Sequence, residues 1–409
     1  MKNFLKKELE HYRSLPHKAH LLILSYNLRA VTSPILALFL NAYIWRMTSS
    51  VETAIIYNLG MFFSLPIGFC INGKLLKKLP ITHTHLIGLF LAMLGTVSVI
   101  FFHNFGWLQL FAYGLISGMG GGIYWASRNY LTFQETNSTA RNYFFSIASI
   151  ANSVIKIFVS FLIGWIIAFA DISGLYSPTS AYVSVTIFAL IAIFFAGYIL
   201  LGMKFDSPVI KDIWRLSISR KWISVRLANI SIGILEGTNS LICTLLILYF
   251  LGKEGILGTI GAAVSLFSII LYYLYGRLAK QHHRGPVFLA SLLISLALGI
   301  LLFLGGNAPI LIYVLLANLP IAFYELTIDT WQLDVMDKEL SAHPSEKYAL
   351  IVDNEVFLNT GRIIGLLLFL ALAIGISDKF ALKISPLLLA SLQVIIFAAI
   401  WKKVNWNGN

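Results

Sequence analysis

A chain of 409 residues that is 58% hydrophobic and 12% charged exceeds what one soluble core needs, since soluble domains run at about 45 to 50% apolar and 25% charged. Its formal net charge of +12 calls for no nucleic acid, because basic clusters between apolar runs suit an anionic cytoplasmic leaflet. The two cysteines, Cys70 and Cys243, both lie inside apolar runs without spaced partners, so neither a disulfide framework nor a metal site is expected.

Residues 1–19 carry scattered charges and no apolar core of a cleavable signal, and they read as a cytoplasmic tail. Twelve apolar segments follow, at about 20–45, 52–73, 84–103, 106–131, 143–169, 180–202, 223–251, 255–277, 286–304, 309–333, 347–376 and 380–401. About 20 apolar residues cross a hydrocarbon core of roughly 30 Å. The runs lack the ten-residue alternation of a membrane barrel, so helices are expected. The longest basic connection, 203–222, separates six spans from six, and 402–409 forms a second tail. An all-α integral membrane protein is thus predicted, with six-helix bundles at 20–202 and 223–401. With the N-terminus inside, inner segments hold 21 Lys and Arg against 4 outside, which places both termini in the cytoplasm.

Internal symmetry is visible as well. Tyr43 and Tyr249 are 206 residues apart, as are Lys156 and Arg362, while Gly68 and Gly276 are 208 apart. These offsets, close to half the chain, favour a duplicated six-helix unit. After the second span, "GFCINGKLLKK" carries Gly68, Asn72, Lys77 and Lys78; after the eighth, "GRLAKQHHRG" carries Gly276, Arg277, Leu278, Ala279 and Arg284. The architecture and these loops resemble the major facilitator superfamily of secondary transporters. Asn72 and Lys280 replace the Asp of that family's loops, and His282 replaces their second Gly. The resemblance implies two pseudo-symmetric bundles, alternating access, and gating contacts at Gly68, Asn72, Gly276, Arg277 and Arg284. It also implies that spans 3, 6, 9 and 12 face lipid.

Charges inside spans map a polar interior, because each costs about 2.5 to 3.5 kcal/mol at the bilayer centre. They are Arg29, Arg128, Lys156, Arg226, Glu236, Glu325, Asp329, Asp353, Glu355 and Arg362, and the interiors of spans 3, 6, 9 and 12 contribute none. Arg128 and Arg226 lie near cytoplasmic ends, where snorkelling or gate pairing suffices. Lys156, Glu236 and Arg362 are mid-span and need water, a partner or a solute. Asn152, Asn239 and Asn359 share their helix faces at three- or four-residue spacing. Either this stripe is a substrate wall, or Lys156 and Arg362 are permanently paired with Glu236 and Glu355 in a packing ladder.

The aromatic residues Tyr124, Trp125, Tyr324 and Trp331 lie nearby, able to stack on a planar solute or to form interface belts. Five glycines from Gly114 to Gly122 predict close helix approach rather than a phosphate loop. All nine histidines fall in tails, loops or span ends, which suggests neither a metal site nor a midplane relay. No phosphate loop, Gly-x-Ser-x-Gly or His-Glu-x-x-His motif is present, so neither an ATP-driven pump nor an enzyme is expected and no cofactor is implied.

The expected function is a secondary active transporter of a small organic solute, anionic or zwitterionic, coupled to protons or another ion. Lys156, Arg362, Asn152, Asn359, Asn239, Tyr124, Trp125, Tyr324 and Arg29 are the substrate-binding candidates, with Glu236, Glu325, Asp329 and Glu355 as proton carriers. Efflux of lipophilic drugs and a non-transporting receptor or scaffold are the alternatives. Membrane lipids are the other partners, and short loops point to a bacterial inner membrane.

Overall fold

The computed structural model describes residues 12, 15–135, 138–206, 210, 213, 219–278, 283–342 and 347–401. Within these, the side chains of 133–135, 138–143, 145, 146, 220, 272–278, 325, 326, 329, 330, 341, 342 and 400 are not described. Among the described residues every regular element is helical. The first helices are α1 (His17–Thr48), α2 (Val51–Leu75), α3 (Ile81–Phe102), α4 (Trp107–Glu135), α5 (Ser138–Ser173) and α6 (Pro178–Leu201). Next come α7 (Arg220–Leu246, prolonged by a π-helical Ile247–Leu251), α8 (Glu254–Leu278) and α9 (Arg284–Leu304). The last are α10 (Asn307–Leu316 and Asn318–Ala342), α11 (Lys347–Gly375) and α12 (Asp378–Ile400).

Eleven of these helices hold a stretch long and apolar enough to cross a membrane. The chain is a multi-pass membrane protein. Helix α4 is not among the eleven; it is 29 residues long and carries the five glycines, Arg128 and Asn129.

Local chemistry sets the breaks. Ser50, Ser177, Ser219 and Ser377 cap α2, α6, α7 and α12, each hydroxyl accepting from the N–H three residues on. Pro34 lacks the N–H that α1 needs at that point, and the next five residues, Ile35–Phe39, wind as a π-helix. Pro320 likewise cannot bond the carbonyl of Leu316, and α10 is interrupted at Ala317.

Small residues bring the helices together. Gly114, Gly118 and Gly122 recur every four residues on α4 and lie directly on the carbonyls of Tyr57, Met61 and Leu65 of α2, where a Cβ has no room. Gly164 of α5 meets Gly258 of α8, and a Cβ on the former would lie 2.8 Å from the latter's Cα. Gly233 and Gly237 of α7 abut α11 at Leu358 and Arg362. Exposed apolar chains cover one side of α3 (Ile87, Phe90, Leu94), α6 (Ile191, Phe194, Phe195), α9 (Leu289, Leu293, Ile300) and α12 (Leu388, Ile395), a surface suited to hydrocarbon.

Two groups of contacts join α1–α6 to α7–α12 at opposite ends of the molecule. At one end, Arg46 of α1 donates to Asp171 of α5 (2.7 Å) and to Glu254 of α8 (2.7 and 2.8 Å). Lys253 also approaches Asp171 (3.4 Å), and the Tyr182 hydroxyl of α6 donates to Glu254 (3.1 Å). At the other end, the Tyr348 hydroxyl of α11 donates to the Phe69 carbonyl (2.8 Å) and accepts from Asn72 Nδ2 (3.3 Å), both on α2. We call these the Arg46 face and the Tyr348 face.

Candidate functional site

Three polar clusters lie between the faces. The first surrounds a cavity of ≈ 190 Å³ lined by α1, α5, α7, α8 and α10. Its wall carries Lys156 and Ser160 of α5, Ser33 of α1, Thr244 of α7, Ser265 of α8 and Asn318 of α10. Lys156 is exposed to this space. Asn318 starts the second piece of α10 and accepts from Asn239 Nδ2 at 2.8 Å, so the break in α10 puts an amide on the cavity wall. Asn152 turns back to its own helix, donating to the Ala148 carbonyl (2.8 Å).

The second cluster is built on the close α7–α11 contact. Arg362 donates to Glu236 Oε1 (2.7 Å) and to Asn359 Oδ1 (2.9 Å). Its guanidinium lies 5.1 Å from the Phe62 ring of α2. Asn359 Nδ2 donates in turn to the Glu355 carboxylate (3.2 Å), which makes the stripe read from the sequence a continuous hydrogen-bonded chain. The Arg362 side chain is 11% exposed and that of Glu236 32%, so the carboxylate is the wetter partner. Nearer the Tyr348 face, Asp353 accepts from Arg226 Nε (2.8 Å) and Trp222 Nε1 (2.7 Å). Arg226 is therefore ion-paired rather than snorkelling.

The third cluster lies within α1, α3 and α4. Arg29 sits 5.3 Å from the Tyr124 ring and donates to Thr32 Oγ1 (2.6 Å). Arg128 lies between the rings of Tyr26 (4.8 Å) and Trp125 (4.6 Å). The Tyr26 hydroxyl is tied to the Arg128 carbonyl (3.1 Å). His85 packs against Tyr124, ring centroids 5.0 Å apart; it is completely buried and neither ring nitrogen has a hydrogen-bond partner.

Tyr324, by contrast, is 3% exposed, donates to Ser231 Oγ (2.9 Å) and packs on Phe288 and Phe397. Its ring is occupied by the core of the last six helices. The side chains of Glu325, Asp329 and Arg277 lie outside the described residues, and Gly276 falls in α8. Gly68 packs on the α4 backbone at Met119 and Gly122. Asn72 is fully buried, and its Oδ1 accepts from Ser127 Oγ (3.0 Å) while its Nδ2 reaches across to Tyr348. Arg284 pairs with Asp334 (2.8 Å), linking α9 to α10.

Sequence reasoning gave His85 no role, assigned Arg128 to snorkelling or gate pairing, and passed over the Arg46 network. The signal for the last was the placement of Asp171 and Glu254 at neighbouring span ends on the same side as Arg46. Nothing in the sequence marks His85, whose burial depends on α3 packing against α4.

No family model matches the chain. It is 26% identical over 367 residues, 88% of its length and 83% of the other's, to the uncharacterised protein YqgE of Bacillus subtilis (strain 168). An uncharacterised protein from the sodM 3′ region of Geobacillus stearothermophilus is 28% identical over 106 residues, 26% of this chain and 50% of that one. Among solved structures, a bacterial homologue of the drug peptide transporters PepT1 and PepT2 superposes with a TM-score of 0.65 at 11% identity, over 95% of this chain and 99% of that one. A bacterial homologue of the iron transporter ferroportin, inward-facing, gives 0.64 at 14%, over 96% and 97%. The major facilitator superfamily transporter FucP, outward-facing, gives 0.58 at 18%, over 93% and 98%. Matched end to end by these structures and carrying its charge between helices, the chain has the fold of the major facilitator superfamily transporters.

Proposed function

We propose that the protein is a secondary active transporter that carries a small organic anion or zwitterion by alternating access. In this reading α4 is the twelfth span, α1–α6 and α7–α12 are two pseudo-symmetric bundles, and both termini face the cytoplasm of a bacterial cell. The Arg46 face is then the outer gate and the Tyr348 face the inner one. The fold supports transport; it does not choose the solute, since similar structures include an iron-transporter homologue, a peptide-transporter homologue and a metal transporter.

The observation that carries the reading is Lys156 on the wall of a cavity between helices, with hydroxyl and amide groups around it. A cation at mid-span is costly to insert, and it is favoured where an anion visits. Arg362 and Glu236 supply the coupling element: a solute carboxylate that engages Arg362 would free the wetter Glu236 to take up a proton.

The test is uptake of organic acids into liposomes loaded with a pH-sensitive dye, with Lys156→Ala and Arg362→Ala beside the native protein. Acid-driven signals should fall by at least about tenfold in each variant, the loss of one charge-assisted contact. Unchanged flux in both variants would sink this assignment.

A further inference from the structure

Six arginines have described side chains within or beside the spans, and four of them meet a carboxylate. Arg46 meets Asp171 and Glu254, Arg226 meets Asp353, Arg284 meets Asp334, and Arg362 meets Glu236. Arg29 and Arg128 meet none among the described residues, and they sit on neighbouring rings: Arg29 over Tyr124 and Arg128 over Trp125, whose centroids are 5.4 Å apart. Burying one guanidinium without a counter-charge is costly, and burying two side by side costs more.

Aromatic faces compensate in part. Tyr124 lies under Arg29, while Tyr26 and Trp125 flank Arg128. Ring faces take the flat side of a guanidinium and leave its edge, with the N–H donors, unsatisfied. Among the described residues, only one of these side-chain donors, Arg29 Nη1, meets a protein acceptor, Thr32 Oγ1. Behind the pair, His85 feels both cations and has two ring nitrogens without partners. The arrangement is one fork of donors beside another, walled by rings and backed by a further polar group.

We propose that Arg29, Arg128 and His85, walled by Tyr26, Tyr124 and Trp125, form a binding site for a compact organic anion carrying a carboxylate or phosphate group. Two guanidinium edges match the planar oxygens of a carboxylate or three oxygens of a phosphate, and the exposed Trp125 ring accepts the solute's apolar part. A lipid headgroup carries the same chemistry as a free solute, and Arg128 and His85 both lie toward one end of their helices, so the test includes a lipid arm. The site names the solute class of the transporter reading and rests on that reading for its role in flux, though not for binding.

The test is thermal unfolding of the delipidated protein in detergent with succinate or inorganic phosphate, against sodium chloride at equal ionic strength. Native protein and Lys379→Gln, an exposed control, should both be stabilised by at least one of the two anions. Arg29→Gln and Arg128→Gln should bind it about tenfold to a hundredfold more weakly. Without ligand the two variants should melt at or above the native temperature, because a repelling charge has gone. Arg128→Lys keeps the charge but loses the fork, and should recover only part of the affinity. If neither anion stabilises beyond chloride, or if the arginine variants respond like the native protein, the site is wrong. If they melt lower without ligand and bind normally, the arginines are packing elements and the site is again wrong. Adding phosphatidylglycerol separates sources: a lipid that stabilises while both solutes fail also overturns the proposal. Liposome uptake of the stabilising anion keeps the two readings apart. Binding that needs both arginines without flux sinks the transporter and leaves the site; flux indifferent to both sinks the site and leaves the transporter.

Discussion

Arg362 and Glu236 form an ion pair whose contribution to stability can be measured apart from its proposed role in coupling. Their 2.7 Å pair joins the two helices that also approach closely at Gly233 and Gly237. Removing one partner strands the other in a poorly solvated place, which costs about 3–5 kcal/mol for a fully buried pair. With Glu236 partly exposed, the lower end applies. We expect Arg362→Leu to destabilise markedly and Arg362→Leu with Glu236→Leu to regain most of the loss. A double-mutant cycle on unfolding temperature measures the coupling, and strictly additive shifts would mean that the pair contributes nothing. The sequence showed that mid-span charges need partners, and it left open which carboxylate served Arg362. Glu236 lies 126 positions away, so only the approach of α7 to α11 decides it. The same limit hid Arg128, whose position near a span end also fits snorkelling until the rings of Tyr26 and Trp125 are seen around it.

At the level of the helix, α4 offers a sharp contrast. Gly118 lies on the Met61 carbonyl and the Ser64 hydroxyl of α2, while a Cβ at Gly121 would meet nothing within 4 Å. Gly118→Leu must force α2 and α4 apart, at a cost of about 1–3 kcal/mol or more. Gly121→Ala should be neutral or stabilising by up to about 1 kcal/mol, since it restricts the backbone without a clash. Unfolding temperatures of the two variants check both, and equal effects would show that the glycine stripe has no packing role. Helix existence was legible throughout because a bilayer demands long apolar runs. The interruption of α10 at Ala317 had its cause in plain view at Pro320, but a proline within a span is compatible with a kink as well as a break.

Across the whole molecule, contacts at both faces join the first six helices to the last six. Under the proposed alternating access each would open in turn, and their relative strengths would set the resting state. The Arg46 network gathers one guanidinium, two carboxylates, a lysine and a tyrosine hydroxyl, against two hydrogen bonds of Tyr348 at the other end. Arg46→Gln should therefore open the Arg46 face, seen as longer spin-label distances between the ends of α1 and α8. Tyr348→Phe should lengthen distances between α2 and α11 at the opposite face. Lengthening at the wrong face in either variant would show that these contacts are not gates.

By itself the sequence determined that the chain lives in a membrane, that it crosses many times as helices, and roughly where each helix begins and ends. Those properties depend on local composition and on the cost of an unpaired peptide group in hydrocarbon, which every residue meets alone. It also marked which spans carry charge. Only the tertiary structure decided which charges meet, because α2 reaches α11 and α5 reaches α8 across most of the chain. That folding pairs Arg46, Arg226 and Arg362 with carboxylates and leaves Arg29 beside Arg128, a distinction set by the distance between side chains and invisible to their order.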